Sequence, residues 1–193
     1  DQQLLEVIKT ADTAIQLIDT LLLSTDMHSQ QVLKLEPLSV PSVLHVASED
    51  IKKYAEVYNC EVELSIYGNY NPVIGNFEAL RAAFRTLGNA LVESQSGNGL
   101  SKIVLAAHKS PSGINAGVYC SRTEISKDMF KRARALFGSS RQPLVASSSG
   151  SAAGVFIADS LLSLIATPLQ VTRYKNMTGL TTTLLPSQQL KLI

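Results

Sequence analysis

A chain of 193 residues with a net charge of +1 and 45% apolar residues can bury one sizeable core, or two small ones. The near-neutral balance gives no ground for a nucleic-acid partner or a charged membrane surface. Its two cysteines, Cys60 and Cys120, offer neither a disulfide framework nor metal-ligand spacing, a usage that suits a reducing, cytoplasmic compartment.

Residues 1–24 read as one long helix. Leu4, Ile8, Ala11, Ile15, Ile18 and Leu22 recur at alternating spacings of four and three, a heptad seam, and Val7, Ala14, Leu17 and Leu21 widen it. So broad a face needs a cover, either a helix of a second copy, making a homodimer, or the chain's own domain. The polar run 25–30 ends the helix.

Strands and helices then alternate. Residues 31–35 read as a short strand, and Pro41 can open a helix whose apolar face is Leu44, Ala47, Ile51, Tyr54 and Tyr58. Val62, Leu64 and Ile66 alternate within 60–66, a half-buried strand. Residues 68–75 read as a loop, and Asn76 as the cap of a helix with Phe77, Leu80, Phe84, Leu87 and Leu91 on one face. Residues 103–108 and 114–120 read as antiparallel strands joined at Pro111-Ser112-Gly113. A short basic helix over 126–137 and a Ser/Gly-rich loop over 138–150 follow. Residues 152–166 form the most apolar helix; Asp159 and its Ser and Thr residues make it a buried helix and not a membrane span. Residues 169–174 and 179–185 close the chain as a hairpin around Lys175-Asn176. The expected fold class is α+β, a two-layer sandwich of a mixed sheet with helices on one face, behind a helical arm.

This order and several motifs resemble a sensor histidine kinase from its second dimerisation helix through its ATP-binding domain, the Bergerat-type (GHKL) fold shared with gyrase, Hsp90 and MutL. Leu87-Gly88-Asn89-Ala90 resembles the N box. The run from Gly150 through Gly154 to Ile157 resembles the second glycine box and its helix, and Thr178 to Pro186 the closing strand. The resemblance implies a dimerisation-type helix over 1–28 and an ATP-binding domain over 29–193. It also implies a two-component signalling role, with a response regulator or another signalling protein as partner and the phosphoacceptor histidine on a helix ahead of residue 1.

Against the family's first glycine box, Asp-x-Gly-x-Gly-Ile, this chain sets Cys120, Arg122, Glu124 and Ile125. A thiol is a weak acceptor for an adenine amino group, and side chains at the glycine positions obstruct the backbone's approach. Asn89 fits the family's Mg²⁺-coordinating asparagine. One turn earlier, where the family keeps Asn or an acid, stands Arg85, which ligates no cation. Val92 and Glu93 replace the family's lysine and aromatic. Gly150 and Gly154 keep part of the anion-cradling box. The expectation is therefore a degenerate nucleotide site with positions Asn89, Arg85, Cys120, Gly150 and Gly154 and no bound cofactor, Arg85, Arg122 or Glu124 reaching into a relic cavity. The alternative is a divergent kinase that binds ATP and Mg²⁺, the metal on Asn89. Of the histidines, His28 and His108 read as solvated and His45 as packed or at a rim. Lys127, Lys131, Arg132, Arg134 and Arg141 read as a solvated basic face or as a surface for an acidic partner.

Overall fold

The computed structural model describes residues 34–95, 100–121 and 150–187, together with positions 4, 7, 11, 14, 15, 18 and 22; side chains are described from Gly154 onward in the third block. In chain order the elements are β1 (Glu36–Leu38), α1 (Val40–Ala55), a 3₁₀ turn (Glu56–Tyr58), β2 (Cys60–Ile66), β3 (Val73–Gly75), α2 (Phe77–Ser94), β4 (Ser101–Ser110), β5 (Gly113–Cys120), α3 (Gly150–Ile165), β6 (Gln170–Tyr174) and β7 (Met177–Leu184).

Five strands make one mixed sheet in the order β2-β4-β5-β7-β6, parallel only between β2 and β4, while β1 and β3 pair as a separate antiparallel ribbon. The parallel pair requires a crossover, and α2 supplies it. Period-two alternation sends Ile103, Leu105, Val118, Cys120, Leu180 and Leu184 to one face, where they join Leu44, Ile51, Phe84, Leu87, Leu91, Val155 and Leu161 of the helices in a single core. The opposite, outer face carries a second cluster of Val104, Ala106 and Tyr119 with Tyr174 and Met177.

Local chemistry fixes the helix starts. Ser39 caps α1 with Pro41 in its first turn, and the Asn76 side chain accepts from the Ala79 amide at 3.0 Å at the head of α2. Five expectations are corrected. Among the described residues the first strand is Glu36–Leu38, set by its pairing partner β3, while Lys34 and Leu35, the described end of the expected strand, are irregular and exposed. The stretch 68–75 contains that partner strand. β7 starts at Met177, two residues into the expected turn, because Met177 pairs with Tyr174. His45 is exposed, whereas His108 is half-buried with its ring stacked on Tyr174 at 6.0 Å. The described positions of the N-terminal arm are helical and exposed, Leu4 and Val7 at 64% and Ile15 and Ile18 at 56%. Ile8, Leu17, Leu21, His28, Arg122, Glu124, Ile125 and the basic stretch lie outside the described residues, as do most of 126–150.

Candidate functional site

Two of the candidate positions, Arg85 and Asn89, lie on α2. While Leu80, Phe84, Leu87 and Leu91 face the core, Arg81, Arg85, Asn89 and Glu93 succeed one another every four residues, so they wind along one side of the helix. Arg81 at the head of this stripe grips Asp50 of α1 with two guanidinium bonds of 2.8 and 3.2 Å. Glu93 at its tail accepts a short hydrogen bond from the Tyr54 hydroxyl, which also meets the Tyr58 hydroxyl at 3.0 Å. Both ends of the stripe are therefore tied to α1, and the Asp50–Tyr54 pair that ties them is itself one turn apart.

Electrostatics follow from these contacts. The Arg81 hydrogen bond holds the Asp50 carboxyl below the usual range, and the charge of Arg85 acts in the same direction. Arg85 is half-buried on the side of α2 that feels Asp50, and its Nε is buried without a hydrogen-bond partner. Burial, followed by the bond to Glu93, pushes the Tyr54 phenol far above its ordinary value. Asn89 is 5% exposed, in the middle of the stripe.

Cys120 ends β5, on the sheet face beneath α2, and is 1% exposed. Its Sγ–H donates to the Thr178 carbonyl of β7 at 3.6 Å, so the thiol is engaged as a donor inside the sheet. On the other flank, a Cβ placed on Gly154 of α3 would stand 2.8 Å from the Ala90 Cβ and 3.4 Å from the Thr86 carbonyl of α2. Gly154 thus lets α3 lie directly on the N-box-like turn. Gly150 is the first residue of α3. Gly154 thus packs on the α2 turn from Thr86 to Ala90 that contains Asn89, Cys120 lies in the core on the sheet, and the charge of Arg85 acts on Asp50 of α1. Asp50 as a partner of this region was not visible in the sequence, since an inter-helix ion pair leaves no local spacing signal; Tyr54 was visible only as part of an apolar face. Among the described residues, no cluster of three His, Cys, Asp or Glu side chains could hold a metal ion. A cleft of about 290 Å³ lies at the opposite end of the sheet, at the β4–β5 turn, lined by Asn71, Lys109, Ile114 and Pro186 among others.

No protein-family model matches the sequence, and no curated protein matches it either. Solved structures do. The chain is similar to the nucleotide-free catalytic domain of the histidine kinase ThkA, with a TM-score of 0.60 at 10% identity over 78% of this chain and 95% of that one. It is similar to the Acinetobacter baumannii histidine kinase AdeS, with a TM-score of 0.58 at 11% identity, covering 97% of this chain and 84% of that one. It is also similar to full-length ShkA in complex with AMPPNP, at a TM-score of 0.61 and 12% identity over 96% of this chain and 39% of that one. The fold is that of a histidine kinase ATP-binding domain. Identities this low establish architecture alone. Among the described residues, no helix is long and apolar enough to cross a membrane.

Proposed function

We propose that this chain is a two-component signalling module of the histidine kinase type whose nucleotide site is degenerate, and that it works by dimerisation and partner docking. The observation that carries this reading is Cys120. A kinase of this fold needs an acceptor for the adenine amino group at that place, and here a fully buried thiol points its proton at the Thr178 carbonyl. Arg85 adds to it: a fixed cation one turn before Asn89 opposes a divalent metal there, and its neighbour Asp50 is already held by Arg81. These residues do not fit a magnesium nucleotide. The exposed apolar positions Leu4, Ile15 and Ile18 support dimerisation through the arm that also carries Ile8, Ala11 and Leu22, since apolar side chains this exposed along one helix call for a partner surface. A response regulator or a similar signalling protein is the partner class that fits the fold.

Isothermal calorimetry with ATP, with and without Mg²⁺, tests the reading. We expect no binding at or below tens of micromolar, a threshold of about 6 to 7 kcal/mol. Tighter Mg²⁺-dependent binding overturns it. That result would favour a divergent active kinase acting on a histidine outside this chain, a second reading for which the retained Asn89 and the AMPPNP complex of a structural neighbour speak.

A further inference from the structure

β2 and β6 are the two edge strands of the sheet, with β4, β5 and β7 between them. Side chains at opposite edges have no reason to meet in a flat sheet. Here the Tyr174 hydroxyl at the end of β6 lies 3.0 Å from Ser65 Oγ of β2, and the Tyr174 ring crosses the outer face 5.0 Å from the Tyr119 ring. The next residue, Lys175, sets its Nζ over two rings, 5.3 Å from the centre of Tyr174 and 5.7 Å from that of Tyr67, just past β2. The tip of the β6–β7 hairpin is therefore fastened across the sheet to the far edge.

Two further observations show that the fastening is specific. Lys175 has a φ of 53°, the left-handed region, in a two-residue hairpin turn where glycine or asparagine is the unstrained choice. A lysine persists in such a backbone when its surroundings hold it; this side chain lies over two tyrosine faces, and its charge also acts on Glu63 of β2. Beneath the tip, Tyr119 and Ala106 are fully buried and Val104 is 1% exposed, although they lie on the face turned away from the helices. Gly179 provides the room: a Cβ there would collide with the Tyr119 ring.

We propose that the β6–β7 hairpin tip is a releasable strap, latched through Lys175 and Tyr174 onto Tyr67 and Ser65, and that its release uncovers a tyrosine-bearing surface centred on Tyr119. The main core lies on the other face, so opening costs the latch contacts and the packing of Tyr174 on Tyr119 and His108 and leaves that core intact. Opening is a local event, distinct from unfolding.

Hydroxyl-radical footprinting read by peptide mass spectrometry tests this on the intact chain, with Leu100, 67% exposed and outside the latch, as the reactive reference and half-buried Tyr54, on the helix side, as the reporter of global unfolding. Lys175→Gly is the decisive variant, because it relaxes the turn while removing the cation. We expect the Tyr119 modification rate to rise at least fivefold in Lys175→Gly and in Tyr174→Ala, with Tyr54 within twofold of wild type, and Lys175→Arg to keep Tyr119 protected. A Tyr119 rate in Lys175→Gly that stays within twofold of wild type or falls would show that the cation latches nothing. A joint rise of Tyr119 and Tyr54, or exposure of Tyr119 in Lys175→Arg, would equally overturn the strap.

Discussion

A sulfur-bearing side chain at position 120 does more than omit a carboxylate; it uses the space as a donor. Cys120→Asp would place a charge in a position 1% exposed, against the Thr178 carbonyl, which offers it no proton. An uncompensated buried polar group costs about 1–3 kcal/mol, and a charge more. We expect urea unfolding to show a loss of at least about 2 kcal/mol, with no gain of ATP binding by calorimetry; recovered binding in the single variant would contradict the assignment. Asp50 offers a second test. Its folded-state pKa is lowered by Arg81, so the carboxylate contributes stability above the ordinary Asp range, and that contribution is lost as pH falls through the lowered value. The pair is partly solvated, with Arg81 34% and Asp50 20% exposed, so its worth is roughly 1 kcal/mol. Asp50→Asn should therefore be less stable than wild type at neutral pH, and the gap should close below about pH 4. A gap that is constant down to pH 2 would mean the ion pair is not its source.

At the scale of elements, the α2–α3 contact is where competing magnitudes decide a sign. Replacing a helical glycine by alanine in an open site gains up to about 1 kcal/mol of propensity. At Gly154 the new methyl would stand 2.8 Å from the Ala90 Cβ, which cannot swing away, so overpacking of about 1–3 kcal/mol should win. We expect Gly154→Ala to lower the urea midpoint; a raised midpoint would show that the helices are further apart than described. This contact could not be foreseen from the sequence, where Gly154 reads equally well as a phosphate-cradling glycine. What was legible had local causes: the alternation of Val62, Leu64 and Ile66, the Asn76 cap, Pro41 in the first turn of α1, and the apolar face of α2. β3 was missed because Val73-Ile74-Gly75 is short and follows Pro72, so nothing periodic marks it, and β1 was misplaced because its bounds are set by that hidden partner. Cys120 was singled out through the family resemblance, but its Thr178 acceptor, 58 residues further on, is a product of strand order.

For the whole molecule, the proposed dimer rests on the arm. Light scattering should find a dimer at micromolar concentration, and Ile15→Glu should return a monomer with the unfolding transition of the sheet domain unchanged, since Ile15 is 56% exposed. A wild-type chain that stays monomeric at high concentration would refute the dimer. The strand order has a consequence for synthesis as well. β5 lies between β4 and β7, and its register sets Cys120 against Thr178 and Ile114 against Leu184. A nascent chain that has emerged only as far as residue 149 therefore holds β5 with one edge bare, an unpaired ladder in the middle of the future sheet. At about 5–20 residues per second, the 35 residues from 150 to 184 keep that edge open for roughly two to seven seconds. During that interval the bare β5 edge is open to pairing with any other extended strand.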